Sequence, residues 1–173
     1  RPLQLALSYD EEIGCTGAPP MIDAMVASAM PRASAAIIGE PSMMKVVTGH
    51  KGGIGFDVHV RGFEVHSSLL HIGVNAIMFG AKLIDWCNEM NAENAAGAPL
   101  EMDAGFVPPY TTLHVGMVTG GTAHNITAKD CNFVLTFRTV PGETGQMWVD
   151  KFEVKVAEIA AQMQAIHPDT GID

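Results

Sequence analysis

Cys131-Asn-Phe-Val-Leu-Thr-Phe-Arg138 is the most regular stretch of this chain. Cys131, Phe133, Leu135 and Phe137 alternate with Asn132, Val134, Thr136 and Arg138. Side chains of a strand point to opposite faces in turn, so the pattern predicts a strand with one face in a core and one face in water. Outward from it the same reading repeats. Leu113, Val115 and Met117 mark a strand before it, closed by a turn at Gly120-Gly121. Phe56, Val58 and Val60 alternate with Asp57, His59 and Arg61 in a third strand. Between these strands, Val74, Ile77, Met78, Ala81 and Ile84 recur at helical spacing, followed by a Gly- and Pro-rich loop over residues 95–109. After the last strand, Trp148, Phe152, Val156, Ile159 and Met163 form an amphipathic helix, with Thr144 placed to cap it. Residues 47–173 therefore read β-α-β-β-α, with room for one more strand. Two helices on one face of an antiparallel sheet make an α+β, ferredoxin-like two-layer sandwich.

Residues 1–46 have another rhythm. Leu3-Gln-Leu-Ala-Leu-Ser-Tyr9 and Ala35-Ala-Ile-Ile38 read as buried strands, joined by a helix that starts near Pro19-Pro20 and runs toward Pro31. This is a βαβ unit, and its right-handed crossover would bring both strand ends to one edge of a parallel sheet. Each strand runs into acid: Asp10-Glu11-Glu12 after the first, Glu40 in Gly-Glu-Pro after the second. Ligands bind at that end of open α/β sheets. The two-domain reading is thus a βαβ fragment of a catalytic domain over 1–46 and a separate domain over 47–173.

Composition narrows the function. Hydrophobic residues make up 47% of 173, enough for a core, and no apolar run is long enough to span a membrane. The formal charge is -9 and the ten Lys and Arg are scattered, which argues against nucleic acid and anionic membrane as partners. Cys15, Cys87 and Cys131 are odd in number and widely spaced, so neither a disulfide framework nor a Cys-rich zinc site is expected, and reduced thiols fit a cytoplasmic location. There is no signal-peptide pattern, and Arg1-Pro2 is not a translation start, so a longer parent protein is expected.

Several residues can carry chemistry. Adjacent Glu11 and Glu12 repel, and a metal cation offsets such a pair, although for the tripeptide taken alone a solvated loop is the commoner explanation. Glu40 has the same two readings. His66, in a loop before the Gly73-Val-Asn-Ala-Ile77 helix, can donate a hydrogen bond to a developing oxyanion or stand as an ordinary solvated histidine. Arg138, on the wet face of its strand, can grip a carboxylate in a two-pronged contact or cover apolar surface with its stem. Asn125 can cap a turn or reach a ligand.

The order of the pieces is more specific than any one of them. Tyr9-Asp-Glu-Glu-Ile-Gly-Cys15, Gly39-Glu-Pro-Ser42, Gly49-His-Lys-Gly52, Val65-His-Ser-Ser68 with Gly73-Val-Asn-Ala-Ile77, and Asn125 before Phe137-Arg-Thr-Val-Pro141 resemble, in register, the acetylornithine deacetylase and succinyl-diaminopimelate desuccinylase family of two-zinc amidohydrolases and peptidases. The resemblance spans nearly the whole chain. It implies Glu11 as general base, Glu12 and Glu40 as zinc ligands, and His66 as an oxyanion donor to the partner subunit's site. Asn125 and Arg138 would hold the substrate carboxylate. It further implies two zinc ions per subunit (cobalt being the alternative metal), a homodimer, and a small N-acyl amino acid as substrate, most simply N-acetylornithine in arginine biosynthesis. The other expected metal ligands have no counterpart in this segment, so the segment alone is expected to be inactive. A non-catalytic dimerisation module, or a dipeptidase or carboxypeptidase of the same family, are the alternatives. One departure is Ala128, where relatives often carry Pro.

Overall fold

A computed structural model describes residues 3–173; Arg1 and Pro2 lie outside the described residues. The chain divides into two compact units, Arg1–Val47 and Thr48–Asp173.

The second unit is a four-stranded antiparallel sheet with two helices on one face. Its elements are β1 (Gly52–Arg61), α2 (Ala76–Ala96), β2 (Thr112–Gly120), β3 (Asp130–Thr139), α3 (Gly145–Gln164) and β4 (Gly171–Ile172), with α1 (Ala18–Ala27) belonging to the first unit. The strand order is β2-β3-β1-β4, the ferredoxin-like arrangement, and β4 is the extra strand that the sequence left room for. Cys131, Phe133, Leu135 and Phe137 of β3 are all buried. They meet Leu83, Trp86 and Cys87 of α2 and Trp148, Phe152, Ile159 and Met163 of α3 in one core. The small residues Ala76 and Gly80 let α2 come close to the sheet, where longer side chains would hold it off. Thr144 caps α3 as expected: its hydroxyl accepts from the Met147 N–H at 3.3 Å.

Strand alternation breaks at one place. A β-bulge at Gly116 shifts the register of β2, so Val115 lies opposite Leu135 but Met117 lies opposite Val134. Met117, expected to share the core face of Leu113 and Val115, is therefore turned to the open face, and Val118 takes the helix side opposite Phe133. A period-2 reading cannot anticipate an extra residue.

The first unit corrects the sequence reading more strongly. Its helix forms, with Pro19 and Pro20 in the first turn, but it ends at Ala27, where the Ser28 hydroxyl turns back to the Met25 carbonyl at 2.7 Å. The two strands of the expected βαβ unit are absent. Residues 3–9 and 35–38 form no strand, and Leu3 is 95% and Ile37 100% exposed. A strand is defined by its ladder, and among the described residues neither segment has a neighbouring strand to bond with. Apolar alternation alone therefore does not make a sheet here.

Candidate functional site

His66 occupies a loop braced from both sides. Val65 N–H donates to the Thr127 hydroxyl at 2.8 Å, and Thr127 N–H donates back to the Val65 carbonyl at 2.9 Å. Ser67 N–H donates to the Asn125 carbonyl at 2.8 Å, and His66 bridges Ile126. This short ladder holds the His66 loop against the Asn125 turn, so those two residues are brought together. Gly62 makes the approach possible. A Cβ there would stand 2.2 Å from the Val74 carbonyl oxygen and 2.7 Å from that of Ala128, both backbone atoms.

The ring of His66 is oriented by its own turn. Its Nδ1 accepts the Ser68 N–H at 3.3 Å and lies 2.8 Å from the Ser68 hydroxyl. An Nδ1 that accepts keeps its lone pair, so the neutral ring carries its proton on Nε2. The side chain is exposed, and Nε2–H is left to donate outward. Asn125 is exposed as well.

Arg138 is not part of this pair. It sits on the open face of β3, opposite Gly53 of β1 and Thr112 of β2. A Cβ on Gly53 would come within 2.9 Å of the guanidinium, so glycine there leaves room for Arg138 to lie across β1. The Asn125 turn feeds the other end of the same strand at Asp130. Eight residues at about 3.3 Å each put Arg138 roughly 26 Å from that end. In one copy, His66 with Asn125 and Arg138 are therefore two separate places.

In the first unit, Glu11 and Glu12 lie in a short 3-10 turn, Glu11–Ile13, entered by Asp10 at φ 58° and left through Gly14 at φ 100°. The Thr16 hydroxyl donates to Asp10 at 3.3 Å. Glu11, Glu12 and Glu40 are all exposed. Among the described residues no group of three or more His, Cys, Asp or Glu is placed to hold a metal ion. Carboxylates are suitable zinc donors, but Glu12 and Glu40 alone are too few to make a site. The thiols add none. Burial pushes the Cys87 thiol up to about 12 and also raises that of Cys131, so both stay protonated and inert; Cys15 is exposed.

Sequence reasoning missed the tautomer of His66, since it depends on a backbone donor two residues away. It also missed that Asn125 is tied to the His66 loop through its main-chain carbonyl. The Ser at position 68 was the only available signal.

Residues 48–164 match the peptidase dimerisation domain family. The chain belongs to that family. The whole chain is similar to an acetylornithine deacetylase of Myxococcus xanthus, 33% identical over 181 residues, which cover 99% of this chain and 45% of that protein. It is also similar to a probable carboxypeptidase of Ajellomyces capsulatus, 32% identical over 144 residues, covering 82% of this chain and 32% of the relative. The chain thus spans less than half the length of these relatives. Among solved structures, the fold is shared with an amidohydrolase or peptidase from Burkholderia cenocepacia (TM-score 0.57, 16% identity, 72% of this chain, 27% of the other). An amidase of the hydantoinase/carbamoylase family from Burkholderia multivorans also shares it (TM-score 0.54, 18% identity, 72% and 26%). No helix among the described residues is long and apolar enough to cross a membrane.

Proposed function

We propose that this chain is part of a homodimeric amide hydrolase that splits an N-acyl amino acid, N-acetylornithine being the first substrate to test. The observation that carries the reading is the outward Nε2–H of His66, fixed by Ser68 and held beside Asn125. A preorganised donor of this kind stabilises the oxyanion that forms when water adds to an amide carbonyl. The similarity to an acetylornithine deacetylase over 99% of the chain supports the substrate class.

Each residue has a role in that reading. Glu11 accepts the proton of the attacking water and returns it to the leaving amine. Arg138 binds the substrate carboxylate in a two-pronged contact, and Asn125 adds an amide to the same recognition. Glu12 and Glu40 are the two donors this chain contributes toward zinc. Two donors do not make a site, so this chain on its own is expected to be inactive. A small amino acid cannot reach both ends of β3, roughly 26 Å apart at about 3.3 Å per residue. His66 and Asn125 of one copy therefore serve the Arg138 of another.

The test is complementation in the full-length protein. His66→Ala and Arg138→Ala are each expected to be nearly inactive on N-acetylornithine. After subunits are mixed and exchanged, one site per heterodimer is intact, and about a quarter of wild-type activity should return for random pairing of a twofold dimer. Mixtures that stay inactive while heterodimers form would count against a site shared between copies. Faster cleavage of dipeptides than of N-acetylornithine would move the substrate assignment to a peptidase.

A further inference from the structure

Glu64 stands two residues before His66, between the Phe63–Val74 and His66–Ile126 bridges that hold this segment in place. The residue between them faces the other way. Val65 is half-buried, and its Cγ2 fills the space that a Cβ on Gly73 would need. Glu64 and His66 are both exposed. Side chains two apart on a segment bonded in this way share a side, so the Glu64 carboxylate and the His66 ring leave the loop together.

The carboxylate is oriented but not satisfied. One of its oxygens accepts the Thr122 hydroxyl at 3.3 Å, from the loop that also carries Asn125. Thr122 follows Gly121, whose φ of 76° lies in the left-handed region that favours glycine and turns the chain there. A carboxylate has about four acceptor positions, so most of the capacity of Glu64 is left over. Among the described residues the ion pairs are His59–Asp130, Arg61–Asp173 and Lys155–Glu158, and none involves Glu64. Residues 62–73 and 120–126 contain no Lys, Arg or Asp and no other Glu, so with neutral histidines Glu64 is the one formal charge on the two loops that meet at His66.

We propose that Glu64 selects N-acyl amino acids with a cationic side chain by binding the terminal ammonium while His66 faces the acyl carbonyl. This rests on the hydrolase reading above and adds the residue that sets its substrate class. The main chain at 64 and at 66 is at most about 7 Å apart, at up to about 3.6 Å per residue. In N-acetylornithine six bonds separate the acyl carbon from the δ nitrogen, a zigzag of roughly 7 Å at about 1.5 Å per bond. One extended substrate therefore spans both side chains. Water screens the Glu64 charge in a single copy, but a site closed between two copies excludes that water and strengthens a charge-assisted contact. Such a site also rejects an analogue without the ammonium, because the carboxylate is then enclosed without a partner.

Kinetics of the full-length protein on N-acetylornithine and on N-acetylnorvaline, the same molecule without the amine, test this. The wild type is expected to favour N-acetylornithine in kcat/KM. Glu64→Gln, which keeps the size and one acceptor but not the charge, should lower that preference by about tenfold or more, through KM more than through kcat. Thr122→Ala, which frees the carboxylate from its one tie, should lower the preference by a smaller factor. Glu64→Lys should favour N-acetylglutamate over N-acetylornithine. A Glu64 that only supported the loop would move both substrates together. A preference unchanged by Glu64→Gln, an equal loss on both substrates, or a wild type that prefers N-acetylnorvaline would overturn the proposal. A wild type that cleaves neither substrate would overturn the hydrolase reading itself, which is a separate result.

Discussion

The Ser68 N–H donates to Nδ1 of His66, and this one bond decides which nitrogen of the ring faces outward as a donor. The same bond caps the 3-10 turn Ser67–Ile72, so the fold itself holds the ring in place. The bond comes from the main chain, so side-chain substitution at 68 perturbs it without abolishing it.

For that reason Ser68→Ala in the full-length protein is expected to be mild and His66→Ala severe in the proposed reaction. Loss of a single oxyanion donor costs about 10²–10³ in kcat, and Ser68→Ala, which removes only the hydroxyl contact, should cost less than about a tenth of that effect. KM should move little in both. Steady-state kinetics on N-acetylornithine would check this, and a His66→Ala protein with normal kcat would remove His66 from the chemistry.

Gly62→Ala is expected to destabilise the second unit. The added methyl would meet two backbone oxygens, at 2.2 and 2.7 Å, and backbone cannot rotate away as a side chain can. Overpacking of this kind costs about 1–3 kcal/mol. Urea denaturation followed by tryptophan fluorescence should show a lower midpoint with an unchanged slope.

Glu143 joins two parts of the fold. Its carboxylate accepts from the Thr111 hydroxyl and from the Trp148 indole N–H, the latter at 2.7 Å, and the same Thr111 hydroxyl accepts the Val140 N–H at 3.1 Å. Glu143→Ala leaves the buried indole N–H and a buried hydroxyl short of partners, at about 1–3 kcal/mol for each group left unsatisfied. Glu143→Gln keeps an acceptor and should lose much less. Equal stability of the two variants by thermal unfolding would show that these bonds contribute nothing.

Cys87 gives a pH dependence with a definite sign. Its thiol is raised from an ordinary 9.0 to about 12 by burial, so the folded state holds a proton that the unfolded state releases. The contribution is complete below about pH 9 and is lost as pH climbs from there toward 12. Comparing wild type with Cys87→Ala isolates it from the lysines and tyrosines: the wild type should lose stability more steeply between pH 9 and 11, and parallel curves would contradict the burial effect.

Most of the second unit could be read in advance because its residues carry their own instructions. The alternation of 131–138, the helical spacing of Trp148 to Met163 and the Thr144 cap each state a local preference, and the preferences agree with one another. The first unit could not be read in this way. Leu3, Leu5 and Leu7 have the pattern of a strand, but a strand needs partners that the pattern cannot name. Met117 failed for a related reason, since the extra residue at Gly116 is a property of two strands together.

The sequence alone therefore determined that a sheet with two helices on one face would form, and which residues of β3 and α3 would fill its core, because both follow from the period of apolar residues. On α2 the expected stripe failed, since Ile77, Met78 and Ala81 are exposed and the helix buries Ala76, Gly80, Leu83, Trp86 and Cys87 instead. It also named Glu11, Glu12, Glu40, His66, Asn125 and Arg138 as candidates, from their types and order. Only the tertiary structure decided that His66 and Asn125 stand together with a defined proton while Arg138 lies at the far end of β3. Hydrogen bonds between distant segments and the length of a strand set those positions, and neither is written in any local stretch of the chain.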